Sequence, residues 1–212
     1  MSRSAAWRTS TVTALLVLAL AAGACSGDDS GDDAAHPSSP SPSASQPAPP
    51  EVKIHSRVRT VAGVLPKRRR KAVARDIGRV VDRWFEAAYL GGDYPRSSFR
   101  NAWPGFTAGA RDLAHRDRRL TSNAQFGERI DGVRATTKNV SLDVFSPDKK
   151  PSGATARFRL VFRTTGNAER RVLVTGRLVL TKARGKWKVF GFDVKRFVVP
   201  VGGDRDKTGD KS

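Results

Sequence analysis

The side chains of this sequence that could perform acid–base chemistry are few and lie far apart. The candidates are Asp93, Tyr94, His115, Asp143 and Asp193. Such catalysis needs a partner within hydrogen-bond reach and a pKa shifted by the surroundings, and no two of these carboxylates have a spacing that predicts a pair. Asp143 and Asp193 alternate with apolar neighbours, so both are predicted to face solvent beside arginines. His115 is predicted at a polar helix end on the surface, and Tyr94 in a turn. The sequence therefore indicates no catalytic set.

The sequence gives no more support to metal binding or to phosphate chemistry. The three histidines, His36, His55 and His115, are scattered, and the only cysteine is Cys25, so no cluster has metal-ligand spacing. Neither a glycine-rich phosphate loop nor a serine with a neighbouring base occurs. The sequence predicts no metal and no cofactor, and it favours a protein without enzymatic activity.

Clustered positive charge is the most marked chemical feature of the chain. Lys and Arg number 39 against 20 Asp and Glu, a formal net charge of +19. The first fifty residues hold two basic and four acidic groups, so the remaining 37 basic and 16 acidic groups give +21. Two groups stand out: the run Lys67, Arg68, Arg69, Arg70 and Lys71, and the alternating Arg157, Arg159 and Arg163. Such a field attracts polyanions, although a coding bias towards arginine would raise the charge without any partner.

Residues 1–24 predict an export signal that ends at a lipid-modified cysteine. Arg3 and Arg8 precede an apolar run of eleven residues, Val12–Ala22. This run is shorter than the roughly 20 residues of a membrane-spanning helix and suits the apolar region of a signal peptide. The following Ala22-Gly23-Ala24-Cys25 resembles a bacterial lipobox, with Ala22 where Leu is commoner. The resemblance implies a lipid on Cys25 and anchoring to the outer face of the cytoplasmic membrane. An ordinary signal peptide with an incidental cysteine is the alternative.

Composition divides the rest of the chain into a linker, a folded domain and a tail. Residues 26–50 hold six Pro, seven Ser and four Asp, without aromatic or large aliphatic residues. Such a segment cannot bury enough apolar surface to offset the entropy of ordering. We therefore expect a lipidated cysteine and disordered linker over 25–50, a folded domain over 51–200, and a disordered charged tail over 201–212.

The periodicity of the folded part predicts an α+β domain. Apolar residues from Val73 to Tyr89 recur at three- and four-residue steps, which predicts a long helix from Pro66 to Gly91. Shorter helices are predicted over 97–103 and from Thr107 to about Arg118, and the second is expected to bury Phe106, Ala110, Leu113 and Ala114. From Ile130 the period becomes two, and strands are predicted over 130–145, 154–164, 170–181 and 186–198. Residues 52–61 give a weaker indication of one short strand. The expected architecture is a long helix plus short helices packed on a curved four-stranded antiparallel sheet.

Three local patterns resemble a known class. They are the Trp-Phe-x-x-x-Tyr patch of Trp84, Phe85 and Tyr89, the Gly-Asp-Tyr-Pro break at 92–95, and a closing strand with Trp187-Lys188-Val189. Together with the order of the elements, they resemble secreted actinobacterial lipoproteins with a nuclear transport factor 2-like (cone, cystatin-like) domain. The resemblance covers roughly 66–198. It implies a fold that hosts isomerases, hydrolases, scaffolds and adaptors, and therefore does not fix a chemistry.

Two main hypotheses for the function remain. The first is a non-enzymatic binding or accessory module of the cell envelope, whose basic residues contact an anionic lipid, a wall polymer or another envelope protein. Nucleic acid is not expected, because an exported protein does not meet it and Phe158 and Phe162 are predicted on the core face. The alternative is a carrier of a small hydrophobic ligand, or an isomerase- or hydrolase-like enzyme, with a cavity lined by Trp84, Tyr89 and Trp103. A structural domain of a kind fused elsewhere to larger enzymes is a third possibility.

Overall fold

A five-stranded sheet organises residues 51–200, the part of the chain that this computed structural model describes. Its strands are β1 (His55–Gly63), β2 (Gly132–Ser146), β3 (Gly153–Thr165), β4 (Arg170–Ala183) and β5 (Lys186–Pro200), and they lie in that order across the sheet. The predicted signal peptide, Cys25, the linker and the tail lie outside the described residues. No helix within residues 51–200 has the length and apolar content needed to cross a membrane.

The α+β class is confirmed, but the predicted four-stranded antiparallel sheet was wrong in two respects. The sheet has a fifth strand, β1, and β1 pairs with β2 in parallel, from His55 opposite Asn139 to Gly63 opposite Ser146. Parallel neighbours need a long crossover, which the helices between β1 and β2 provide. The chain enters β1 near the start of β2, where Glu51 and Val52 line the same depression as Leu90 and Val133. The other pairings are antiparallel, as predicted.

The long amphipathic helix is confirmed as α1 (Lys67–Phe85), which continues into a π-helical turn (Glu86–Leu90). Its apolar residues form the centre of the core against the inner face of the sheet. Gly78 permits close contact with β1, since a Cβ atom there would lie 2.7 Å from the Ser56 hydroxyl oxygen. That hydroxyl donates to the Ala74 carbonyl at 2.9 Å, so helix and strand are joined at this point.

The segment between α1 and β2 differs from its prediction in two places. Thr107 caps α2 (Ala108–Arg116) as predicted, and α3 (Arg118–Thr121) follows directly. The helix predicted over 97–103 does not form; instead, Arg96 donates to the carbonyls of Gly91 and Ser98 and holds an irregular loop. Leu113, predicted to be buried, is exposed. Short 3₁₀ turns over Gly127–Arg129 and Pro147–Lys149 complete the elements described.

The sheet bends through defined irregularities in its strands. Register shifts occur between Val58 and Thr60, between Ala135 and Thr137, and between Val179 and Leu180. At Gly176 the φ angle is 152°, and a Cβ atom there would lie 2.0 Å from the Asp193 carbonyl oxygen. Bulges and glycines of this kind bend a strand, and they let the sheet wrap round α1.

A buried lysine ties α1 to β2. Only 2% of the Lys138 side chain is exposed, and its ammonium group forms ion pairs with Asp82, at 3.2 Å, and with Glu86. Burial alone would lower the pKa of Lys138, but hydrogen bonds to Glu86 and Asp82 outweigh it and raise the pKa above its usual value. The lysine is therefore held in its charged form inside the fold.

Candidate functional site

The acid–base candidates are engaged in structural contacts. Asp143 forms ion pairs with Arg157 and, at 2.9 Å, with Arg59, and it accepts a hydrogen bond from Thr60. Asp193 pairs with Arg177 at 3.3 Å. The predictions that both aspartates pair with arginines on the outer face of the sheet are confirmed.

The structure also places the other three candidates. Asp93 is exposed. His115 is exposed, as predicted, with its ring edge-on to Trp103 at 5.5 Å between centroids. The Tyr94 hydroxyl donates to the Tyr89 carbonyl at 2.9 Å, and burial raises the pKa of Tyr94. Among residues 51–200, no three His, Cys, Asp or Glu side chains lie close enough together to hold a metal ion.

Trp84, Tyr89 and Trp103 do not line a cavity, contrary to the alternative hypothesis. Trp84 and Tyr89 have no surface accessible to a water-sized molecule, and Trp103 is 2% exposed. The Trp84 ring lies 5.2 Å from Phe158 and 5.6 Å from Tyr89 between centroids. A side chain that faced a ligand-sized cavity would show accessible surface, so these rings fill the core.

The polar atoms of these aromatic residues are satisfied by the segment after α2. Trp84 Nε1 donates to the Thr121 carbonyl at 3.2 Å, Trp103 Nε1 to the Thr121 hydroxyl at 3.1 Å, and the Tyr89 hydroxyl to the Leu120 carbonyl at 2.6 Å. Buried indole and phenol groups need such partners. The end of α3 and the two residues after it, from Leu120 to Asn123, therefore close the core at this end.

Arg196 of β5 fixes that segment from the other side, a role that sequence analysis missed. Its guanidinium donates to the Ser122 carbonyl and to the Asn123 side-chain oxygen, each at 2.8 Å, and stacks on Phe126 at 4.5 Å. Burial lowers the pKa of Arg196. Because its partners are carbonyl oxygens within the fold, we interpret it as a structural cation.

The candidate functional site is a basic groove between strand β1 and helix α1, which we call the β1–α1 groove. Its volume is about 700 Å³, and Ile54, Val58, Ala72 and Ala74 contribute apolar surface to it. Its basic lining residues are His55, Arg57, Arg68, Arg70, Lys71, Arg75 and Arg79. No Asp or Glu of the described part of the chain lines it. The groove therefore concentrates positive charge around an apolar floor.

A second depression on the outer face of the sheet continues the groove. It measures about 360 Å³ and shares His55 and Arg57 with the β1–α1 groove, while Arg157 and Arg159 line its other side. Strand β1 thus connects two basic groups that the sequence left separate. Arg163 is not included, because it lies further along β3, opposite Arg134 and Arg171.

Only part of the Lys67–Lys71 run faces the groove. Arg68, Arg70 and Lys71 line it, and Arg70 Nε donates to the Leu65 carbonyl at 3.3 Å. Arg69 points elsewhere and donates to the Lys149 carbonyl at 3.2 Å, while Lys67 is exposed outside the groove lining. Helix α1 therefore directs three of these five cations to the groove and two away from it.

The charge of the groove is only partly neutralised. Arg75 and Arg79 share Asp76, at 3.3 and 2.7 Å. Arg57, Arg68 and Lys71 form no ion pair with any residue from 51 to 200. The first turn of α1 has no acidic residue, so the positive end of the helix dipole adds to the field. The groove can therefore hold several anionic oxygens at once.

Sequence analysis missed Arg57, Arg75 and Arg79 as groove residues. Arg57 belongs to β1, whose place in the sheet the sequence did not reveal. Arg75 and Arg79 lie on the exposed face of α1, and the helical pattern alone does not show which strand that face borders. Comparisons of the chain with family models, with curated proteins and with solved structures found no match.

Proposed function

We propose that this chain is a lipid-anchored domain of the cell envelope that binds an anionic polymer in the β1–α1 groove. The observation that carries the proposal is the lining of that groove: six Arg and Lys side chains and no carboxylate of the described residues. Guanidinium groups pair in bidentate fashion with phosphate and carboxylate oxygens. The partner would therefore be a polymer bearing one of these groups.

The shape of the site favours an extended chain over a flat surface. The groove runs between a strand and a helix and is continued across His55 and Arg57 onto the outer face of the sheet. A flat surface meets only the rims of such a depression, whereas a flexible polymer can follow it and exchange its counterions for several arginines.

We further propose that the domain has the nuclear transport factor 2-like cone fold and acts without catalysis. A long helix against the inner face of a bent sheet supports the fold. The ion pairs of Asp143 and Asp193 with arginines engage two of the carboxylates considered for acid–base chemistry, which supports a role without catalysis. Strand β1, parallel to β2, is the element that builds the groove onto this framework.

The groove is tested by neutralising Arg68, Lys71 and Arg75 together, each to Gln. We expect binding of long-chain polyphosphate and of poly-L-glutamate to weaken by about tenfold or more at low salt, with a smaller dependence on salt concentration. Fluorescence anisotropy of labelled polymers measures both, and the preferred polymer identifies phosphate or carboxylate as the partner group.

The matched control neutralises Arg134, Arg163 and Arg171, which removes the same charge from the outer face away from the groove. This control should retain most of the affinity. Equal losses in the two triple variants would show that total charge, and not the groove, governs binding, and would contradict the proposal.

The anchor is tested separately by Cys25→Ser in the full chain. In a bacterial host, we expect the native chain to incorporate labelled palmitate and to stay in the membrane fraction through a high-salt wash. The variant should do neither, because it would lack the lipid that attaches the chain to the membrane. Unchanged labelling of the variant would contradict lipidation at Cys25.

A further inference from the structure

Three large apolar side chains are exposed at one end of the sheet, away from the β1–α1 groove lining. Val64 is 54% exposed, Phe145 55% and Phe190 50%. We call these three residues the strand-end patch. Large apolar groups exposed together at one place on a domain mark a surface that contacts something apolar.

The patch lies where β2 ends and β5 begins. The Val64 amide donates to the Ser146 carbonyl at 3.0 Å, which places Val64 beside the last residue of β2. Between Phe145 and Phe190 runs a shallow groove of about 420 Å³ on the outer face of the sheet. Its floor includes Gly153, Thr155, Val179 and Thr181. Both phenylalanines are thus accessible from the same side.

Cations surround the patch. The connection between β2 and β3 carries Lys149 and Lys150, and the hairpin of β4 and β5 carries Lys182 at the end of β4, Arg184 in the turn and Lys186 at the start of β5. The only carboxylate in these two connections is Asp148. Asp143 also borders the groove between the phenylalanines, but Arg59 and Arg157 neutralise it.

We propose that the strand-end patch seats the domain on an anionic lipid bilayer. Aromatic side chains enter the headgroup region of a bilayer, while Lys and Arg on nearby loops reach lipid phosphates. Anionic lipids attract each such cation by an amount comparable to a several-fold gain in affinity. Apolar groups ringed by positive charge match this interface in both respects.

A second copy of the chain is a poorer occupant of the same surface. A twofold contact through the patch would bring the lysines and Arg184 of both copies together. Like charges placed face to face oppose association. The charge of the surface therefore selects an anionic partner.

The proposal does not depend on the polymer site, because the three patch residues are not part of the groove lining. It can be tested with residues 26–212, since the core is drawn from residues 65–194. This segment contains no cysteine, so Phe190→Cys gives a single position for an environment-sensitive dye. Leu120→Cys, on α3 and also exposed, is the matched control.

With vesicles that contain phosphatidylglycerol, the dye at position 190 should shift to shorter wavelength, and the dye at position 120 should not. Vesicles of phosphatidylcholine alone should leave both unchanged. The unlabelled double variant Phe145→Ser, Phe190→Ser should partition into the anionic vesicles about tenfold more weakly or worse. Thermal unfolding of each variant confirms that it is folded.

Three results would overturn the inference. They are the absence of a shift at position 190 with anionic vesicles, an equal shift at position 120, and unchanged partitioning of a folded Phe145→Ser, Phe190→Ser variant. The groove variant with Arg68, Lys71 and Arg75 neutralised should still show the shift at position 190. Failure of the bilayer contact and failure of the polymer site are therefore distinguishable.

Discussion

Replacing Asp82 and Glu86 by their amides, Asp82→Asn with Glu86→Gln, is expected to lower the free energy of unfolding by about 1–3 kcal/mol, less than for a fully buried pair because both carboxylates are about one-third exposed. The reason is Lys138, whose side chain is 2% exposed and whose ammonium group both carboxylates neutralise. The amides would leave a buried charge without a counter-charge. Urea denaturation of the double variant and of the native chain measures the difference.

Two further variants separate this effect from a general loss of charge. Asp76→Asn removes a carboxylate of the same helix whose arginine partners are exposed, and such surface pairs contribute only about 0–1 kcal/mol. Adding Lys138→Met to the double variant should recover much of the lost stability, because it removes the buried charge itself. A double variant as stable as Asp76→Asn would contradict the assignment of Lys138 as a buried, paired cation.

Trp84→Ala is expected to lower the free energy of unfolding by about 3–5 kcal/mol, the usual range for deleting a large buried aromatic side chain. Trp84 has no exposed surface, contacts the rings of Phe85, Tyr89, Phe106 and Phe158, and donates to the Thr121 carbonyl. Replacing a residue that lined an open ligand cavity would lower the free energy of unfolding far less, because no packing would be lost on the side that faces the cavity. Thermal or chemical denaturation distinguishes the two cases.

Indole provides a second measurement on the same variant. A cavity left by the missing side chain would be apolar, and cavities of this kind bind small aromatic molecules. Millimolar indole should therefore raise the melting temperature of Trp84→Ala and leave that of the native chain unchanged. Leu113→Ala, at an exposed position of α2, is the control and should change stability little. A similar effect of indole on the native chain would show an existing cavity and revive the ligand hypothesis.

The elements that sequence analysis predicted best are those whose apolar period is long and regular. Helix α1 and strands β2 to β5 repeat their pattern over 13 residues or more, so the burial of one face identifies them. Strand β1 is shorter, at nine residues, and most of its outward residues are exposed. Its parallel pairing with β2 depends on the path of the helices between them, which a local pattern does not contain.

The site was predictable in its charge but not in its arrangement. The sequence shows Lys67–Lys71 as a run of cations and the arginines of β3 as an alternating pattern. The two groups are connected through Arg57, which lies on β1, the strand that the sequence indicated only weakly. Lys138 did leave a signal. It shares the phase of Val140, Leu142 and Val144, all buried on the inner face, and Asp82 and Glu86 stand one helical turn apart. A lysine in the apolar phase of a strand thus predicts a buried ion pair.

The direction of β1 sets a lower limit on the length of the proposed tether. The chain reaches the domain beside Leu90 and Val133, close to the start of β2, whereas the strand-end patch lies at the end of β2. From Val133 to Phe145 a strand extends about 40 Å. A lipid on Cys25 and a patch seated on the same bilayer can coexist only if the intervening residues cover that distance, and about 25 residues can extend to roughly 80 Å. The linker would then need a minimum length. A linker shortened to fewer than about 12 residues, with the lipid anchor intact, would hold the patch away from the bilayer.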